Sequence, residues 1–155
     1  MCLAVMLLLV AAQTPQTAYS IDVGAITAFD DASLQIGFRA APSVANKAGA
    51  DIVLATFPDA LVHSLLLFIL DADVAYGARL TDQLTLFPRF GGSIIAGGGG
   101  DAGAGAAWGY NFGAGVLMRA SPTLGARIDY THHVFVGGGG TLPASSISIG
   151  FVWMR

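Results

Sequence analysis

The stretch 104–119 alternates two kinds of side chain with a period of two residues. One set is bulky and apolar and contains Trp108, Tyr110, Phe112, Val116 and Met118. The other set is small or polar and is mostly glycine. Because successive side chains of a strand point to opposite faces, this period predicts a β-strand with one large apolar face and one face nearly without side chains.

Seven further segments repeat this pattern between turn signals such as Asp-Asp, Pro-Asp and Ser-Pro. The eight predicted strands are 19–29, 33–41, 50–57, 65–79, 84–96, 104–119, 123–136 and 146–155. Short connections follow the fourth and sixth segments, and longer, glycine-rich ones follow the fifth and seventh. An even number of amphipathic strands in sequence favours an up-and-down antiparallel barrel.

The charged residues indicate which face of the predicted strands points inward. The charged residues within the predicted strands share the face of the small residues: Asp22, Arg39, Asp51, Asp71, Asp73, Arg79, Arg89, Arg127 and Asp129. A soluble barrel or sandwich would place bulky apolar groups inside and charges outside. Charge at the bilayer midplane costs about 2–4 kcal/mol per Arg or Lys, so lipid-facing positions avoid it. The pattern favours an all-β, eight-stranded antiparallel up-and-down transmembrane β-barrel; the alternative is a soluble secreted β-sandwich or lipocalin-like binder.

Composition supports a membrane barrel and argues against several other classes. Hydrophobic residues make up 54% of the 155 residues and charged residues 11%, yet no run reaches the roughly 18 apolar residues of a membrane-spanning helix. The net charge of −3 and the lack of a basic run argue against a nucleic-acid partner. The only cysteine is Cys2, so we expect no disulfide, no cysteine–histidine metal site and no cofactor.

Residues 1–18 resemble a secretory signal peptide, with the barrel domain expected at 19–155. Residues 1–12 are apolar, and residues 13–17 are polar and include Pro15. This order matches the apolar and cleavage regions of a signal peptide, although a positive N-terminal region is missing. Cleavage is expected after Ala12 or after Ala18. The alternative is a buried N-terminal strand or helix.

Over residues 19–155 the chain resembles the small eight-stranded outer-membrane barrels of the OmpA/OmpX type. The likeness rests on residues 88–92, 108–115, 119–122, 127–130 and 146–155. Ser148, Gly150 and Trp153 also resemble the C-terminal signal read by the outer-membrane assembly machinery, but Arg155 stands where an aromatic residue is usual. The resemblance implies a bacterial outer-membrane location, contact with lipid and lipopolysaccharide, and insertion by that machinery. We expect a monomer, and the family's members include anchors, adhesins, resistance factors and lipid-modifying enzymes.

Six charged residues are predicted to form a structural charge network in the lumen: Asp71, Asp73, Arg79, Arg89, Arg127 and Asp129. The interior of an eight-stranded barrel is only wide enough for side chains. Because unpaired buried charge is costly, both signs are expected to pair and to plug the lumen rather than line an ion path. The predicted lipid-facing aromatic residues are Trp108, Tyr110, Phe112, Phe151 and Trp153.

The pair His132–His133 raises an enzymatic alternative. Lipid A deacylases are also eight-stranded barrels, with a histidine, a serine and an acid facing the membrane, so a lipid-A-modifying enzyme near His132 and His133 is the second functional interpretation. The histidine would have to activate a serine, yet Ser145 and Ser146 lie across a predicted loop, and Asp129 or Tyr130 would have to be the partner. No motif links these residues. We expect no catalytic residue and a structural or surface-interaction role.

Two glycine runs and His63 are the remaining candidates for a functional role. Gly97–Gly100 and Gly137–Gly140 are not followed by a helix start or by Lys with Ser or Thr, so nucleotide binding is unsupported. Both runs are expected to be flexible surface loops. His63 is also expected in a loop.

Overall fold

The computed structural model describes residues 17–28, 31–42, 47–62, 66–99, 103–137 and 140–154. These residues form β1 (Thr17–Ala28), β2 (Asp31–Pro42), β3 (Ala48–Thr56), α1 (Pro58–Val62), β4 (Leu66–Tyr76), β5 (Ala78–Arg79), β6 (Leu84–Gly98), β7 (Ala104–Arg119), β8 (Leu124–Gly137) and β9 (Gly140–Met154). Most of the predicted leader, including Cys2, lies outside the described residues, as do His63 and Arg155. β1 begins at Thr17, two residues before the predicted start of the barrel domain.

Eight of these strands close into one antiparallel ring, and β5 lies outside it. β4 pairs directly with β6, and β1 closes the ring against β9. The closing register runs from Ala18 opposite Met154 to Ala28 opposite Ala144. The predicted eight-stranded up-and-down barrel is confirmed. A β-sandwich, which needs two sheets packed face to face, is excluded.

The two-residue alternation sets the direction of the side chains, as the sequence predicted. In β8, Arg127 and Asp129 are buried inside the barrel, whereas Ile128 and Tyr130 are 47% and 49% exposed on the outside. Bulky apolar side chains therefore cover the outer wall, and the strand charges lie in the lumen. A soluble lipocalin-like barrel would show the reverse arrangement.

The lumen has an apolar layer at each end and polar residues between them. The lower apolar layer, where β1 begins and β9 ends, contains Ala18, Phe87, Leu117, Val152 and Met154. The upper apolar layer, at the opposite end, contains Ile26, Phe57, Ile69, Phe135 and Ala144. The buried charges of the strands lie between these layers, away from both mouths of the barrel.

The predicted fourth segment is interrupted. β4 ends at Tyr76, and the backbone N–H of Gly77 donates to the carbonyl of Lys47 at 3.0 Å. The two residues of β5 then pair with β6. Gly77 therefore marks the point at which the chain leaves the ring.

The connections do not divide into short and long sets as the sequence predicted. Pairing of β8 with β9 continues to Gly137 opposite Gly140, so strand structure enters both ends of the glycine run that was predicted to be a loop. Pairing of β6 with β7 likewise reaches Gly98 opposite Ala104. In that connection Gly103 has a φ of 71°, a left-handed conformation that glycine adopts without strain.

The helix α1 was not predicted. It lies in the connection between β3 and β4 at the upper end of the barrel. Asp59 in its first turn accepts a hydrogen bond from the backbone N–H of Leu34 at 3.2 Å. This contact ties α1 to the start of β2.

Candidate functional site: the lumen and the outer wall

Asp51 joins three arginines at the centre of the lumen. Its Oδ2 lies 3.0 Å from Arg39 Nη1, 3.3 Å from Arg89 Nη1 and 3.0 Å from Arg127 Nη2. All four side chains are 5% exposed or less. One carboxylate thus connects β2, β3, β6 and β8 across the barrel. We define the central cluster as Asp22, Arg39, Asp51, Arg89, Arg127 and Asp129.

The other two carboxylates of the central cluster complete its ion pairs. Asp129 Oδ2 lies 2.8 Å from Arg127 Nε, and its Oδ1 lies 3.5 Å from Arg39 Nη1. Asp22 Oδ2 lies 3.1 Å from Arg39 Nε. Charge-assisted hydrogen bonds of this kind are stronger than neutral ones. Removing one partner of a buried pair costs about 3–5 kcal/mol, because the remaining charge is left uncompensated.

Glycine on the lumen face makes room for the central cluster. A Cβ at Gly115 would lie 2.8 Å from Arg127 Nε, and a Cβ at Gly150 would overlap Asp22 Oδ1. Both approaches are closer than real Cβ contacts. At these two positions glycine is a packing requirement, because Asp and Arg side chains of the neighbouring strand occupy the space that a Cβ would need.

A second polar cluster lies between the central cluster and the upper apolar layer. Ser93 Oγ donates to Asp71 Oδ1 at 2.6 Å and accepts from Asn111 Nδ2 at 2.8 Å. Asn111 Nδ2 also donates to Asp73 Oδ1 at 2.8 Å. His133 Nδ1 lies 3.2 Å from Ser93 Oγ. These hydrogen bonds link β4, β6, β7 and β8 at a second level of the lumen.

Four polar side chains lie together on the outer wall. Thr27 and His132 are the residues directly opposite Ser145 in the two neighbouring strands. His132 Nδ1 lies 2.9 Å from Ser145 Oγ, and the Tyr130 hydroxyl lies 3.3 Å from the same oxygen. Thr27 Oγ1 donates to the Ser145 carbonyl at 3.2 Å. We call Thr27, Tyr130, His132 and Ser145 the outer polar row.

The predicted lipid-facing aromatic residues lie on the outer wall. Four of them are exposed: Trp108, Tyr110, Phe112 and Phe151. Trp153 is half-buried, since its ring stacks on Tyr19 at 6.1 Å between centroids and contacts Phe38 at 6.1 Å. Trp153, Tyr19 and Phe38 form an aromatic group on the outer wall near the lower end.

No protein-family model and no curated protein matches the chain. Solved structures do match its fold. Neisserial surface protein A has a TM-score of 0.65 at 10% identity, covering 89% of this chain and 95% of that one. The outer membrane protein OprG from Pseudomonas aeruginosa has a TM-score of 0.65 at 11% identity, covering 92% and 96%. The N-terminal β-barrel domain of OprF from the same bacterium has a TM-score of 0.64 at 12% identity, covering 90% and 98%.

The chain has the fold of a small eight-stranded outer-membrane β-barrel. The predicted resemblance to such barrels is confirmed. At this level of identity the likeness establishes the fold alone, because one fold carries many unrelated functions.

Five of the six residues predicted for the lumen network are buried inside this barrel: Asp71, Asp73, Arg89, Arg127 and Asp129. The predicted position of Arg79 is wrong. Arg79 follows the break at Gly77, its side chain is 53% exposed, and its Nη1 lies 3.6 Å from Asp82 Oδ1. Its strand no longer belongs to the ring, so the alternation that would have turned it inward has ended.

The central cluster contains three residues that the predicted network omitted: Asp22, Arg39 and Asp51. Their alternation had placed them on the lumen face, and the same signal was available for the neutral polar residues Ser93, Asn111, Thr131 and His133. Thr131 Oγ1 accepts a hydrogen bond from Arg89 Nη2. Strand alternation identifies an inward direction, but it does not give the height at which a side chain meets its partner.

The outer polar row supplies two of the three groups that the enzymatic alternative requires. Ser145 and His132 are in contact and face outward, whereas His133 and Ser146 are buried in the barrel. Asp129, the acid considered as a partner, is also buried in the lumen. Among the described residues no carboxylate pairs with His132. The pair therefore lacks the acid that orients the histidine in a hydrolytic triad.

Among the described residues, no helix has the length and apolar character needed to cross a membrane. In the same part of the chain, no group of three or more His, Cys, Asp or Glu side chains has an arrangement that could hold a metal ion.

Proposed function

We propose that this protein is a bacterial outer-membrane barrel with a structural or surface-interaction role, a closed lumen and no enzymatic activity. The observation that carries the proposal is the reversed arrangement of its side chains, with ion pairs inside and bulky apolar groups outside. In lipid every backbone polar group must be bonded within the protein, which a closed barrel achieves. This arrangement suits a bilayer and is costly in water.

The outer wall supports contact with lipid on every side of the barrel. Exposed large apolar side chains occur on all eight strands of the ring; Val74, Phe90 and Ile147 are examples. The largest apolar patch of a typical soluble monomer covers only about 300–600 Å². A continuous apolar band therefore supports outer-membrane lipid and lipopolysaccharide as the surroundings of the barrel.

The layered lumen supports closure to ions. An ion crossing the barrel would have to pass two apolar layers and separate the central cluster, in which Asp51 holds three arginines. Closing the ring also removes the free strand edges through which barrels could associate. This supports a monomer. Insertion by the outer-membrane assembly machinery, with β9 as its recognition strand, is part of the same proposal. Nucleic acid has no role in it.

Fractionation and gel migration test the membrane assignment. We expect the protein in the outer-membrane fraction, with a folded band on a detergent gel that shifts on heating. A soluble periplasmic product would contradict the proposal. Planar-bilayer recording tests the closed lumen separately, and conductance well above leak would show an open path.

A second candidate function is hydrolysis of an acyl chain of lipid A, with Ser145 as nucleophile and His132 as base. The observation that favours it is the 2.9 Å contact between the two side chains on the wall where a lipid would lie. Mass spectrometry of lipid A after overexpression separates the candidates. Acyl loss that disappears in Ser145→Ala supports the enzyme, and unchanged lipid A supports the structural role.

A further inference from the structure

The outer polar row lies near the upper edge of the apolar wall. Thr27 is the residue before the end of β1, and the last residue, Ala28, pairs with Asp31. Asp31 is exposed, and an exposed carboxylate requires water. On the β1 side the row is therefore just inside the boundary between water and the apolar wall. In a bilayer, the linkages between headgroups and acyl chains lie at this boundary.

Contacts within the row leave one ring nitrogen of His132, Nε2, without a partner. His132 Nδ1 is engaged by Ser145 Oγ, whose second contact is the Tyr130 hydroxyl. When Nδ1 accepts the serine proton, the neutral imidazole carries its hydrogen on Nε2. Among the described residues, Nε2 has no hydrogen-bond partner. The ring is held against Phe112, with 5.2 Å between centroids, so the orientation of this donor is restricted.

A donor in this position needs an acceptor from outside the protein. In lipid a donor without a partner is disfavoured, and no described strand of the barrel supplies an acceptor. The acceptor has to be uncharged, because the described basic side chains other than those of the central cluster are at the opposite end of the barrel: Lys47, Arg79 and Arg119. A phosphate would find no cation beside His132. A carbonyl oxygen is an uncharged acceptor that membrane lipids present at this depth.

We propose that the outer polar row binds the acyl ester carbonyl of a membrane lipid, with His132 Nε2–H as the donor. Ser145 and Tyr130 hold the imidazole in the tautomer that donates outward. Ile147 and Phe112 flank the row on the outer wall and provide apolar surface for the attached chain. The inference rests on the lipid contact proposed above, and it adds a specific lipid site to that contact.

Competition between ester and ether lipids tests the site. The barrel is reconstituted in nanodiscs with equal amounts of diester and diether phosphatidylcholine of the same chain length, since only the diester has the carbonyl. Native mass spectrometry then measures which lipid stays bound. One hydrogen bond predicts a preference for the diester of about two- to tenfold. His132→Phe and Ser145→Ala should bring the ratio to parity, whereas Tyr110→Phe, a matched change outside the row, should leave it unchanged.

The outcomes separate the site from the proposed function. Equal retention of the two lipids by a folded, heat-modifiable wild-type barrel would overturn the ester site while leaving the membrane assignment intact. A preference that persists in both row variants would also overturn it. Failure to insert into either nanodisc would overturn the membrane assignment and the site together. Each variant is first checked for the heat-modifiable band, so that misfolding is not read as loss of binding.

Discussion

The central cluster and the outer polar row are two polar groups on opposite sides of the same wall. In the lumen, Asp51 contacts three arginines from three other strands, and glycines opposite the cluster provide its space. On the outside, Ser145 and His132 are in contact on a wall that is mostly apolar. Each side chain of the inner face therefore depends on particular partners, whereas most positions of the outer face need only an apolar side chain.

This difference predicts how substitutions act. A lumen residue has fixed neighbours at fixed distances, so a change of charge or size is felt by several strands. An outer-wall residue contacts lipid, which adapts to shape but excludes charge. A larger side chain should therefore destabilise the barrel in the lumen but not on the outer wall. A change of charge should destabilise it on either face. Paired variants on the two faces test this contrast.

The largest effect is expected from Asp51→Asn. The substitution keeps the shape but leaves three guanidinium groups without their shared carboxylate, and we expect a loss of about 3–5 kcal/mol in the free energy of unfolding. Urea titration of the barrel in lipid vesicles measures it. Asp82→Asn is the matched control; its ion pair with Arg79 is exposed, so its loss should stay within about 0–1 kcal/mol. Equal effects of the two variants would show that the central cluster does not hold the barrel together.

A charge on the outer wall is expected to come next. Ile149 and Leu80 are 59% and 58% exposed, but Ile149 is in the middle of β9 and Leu80 is in the turn after β5. Ile149→Arg should destabilise the barrel by about 2–4 kcal/mol, because it places charge in lipid. Leu80→Arg should change little. The same urea titration measures both, and similar small values would indicate that the outer wall faces water.

The sequence predicted this two-faced wall because alternation depends only on adjacent residues. Trp108 to Phe112 and Arg127 to Asp129 could be assigned to faces without knowing the register. Contacts between strands could not be assigned, because they depend on register and tilt. Asp51 is the centre of the network only because β3 places it level with Arg89 and Arg127.

Local breaks in the two-residue alternation account for the sequence predictions that were wrong. Gly77 ends the alternation of β4, and nothing in the sequence distinguished it from the other glycines of the strands, so Arg79 was assigned to the lumen. The last strand was predicted to begin at Ser146, whereas β9 begins at Gly140. Ser145 was therefore left outside the predicted strand and across a predicted loop from His132, and the contact between the two was missed. α1 is too short for a helical period to be visible.

The smallest effect is expected from a change of side-chain size inside the barrel, and it tests the contrast between the two faces most directly. A Cβ at Gly115 would meet Arg127 and Asp129, whereas the nearest atom to a Cβ at Gly92, on the outer wall, is a backbone oxygen 3.8 Å away. Gly115→Ala should therefore destabilise the barrel by about 1–3 kcal/mol, the usual cost of overpacking. Gly92→Ala should be neutral or slightly stabilising, because it reduces the freedom of the unfolded chain. Urea titration compares the two, and the interpretation of the lumen as the tightly specified face requires Gly115→Ala to be the more damaging change. If the outer variant were equally destabilising, glycine would be required for strand geometry on both faces, and Gly115 would not be explained by the room that the central cluster needs.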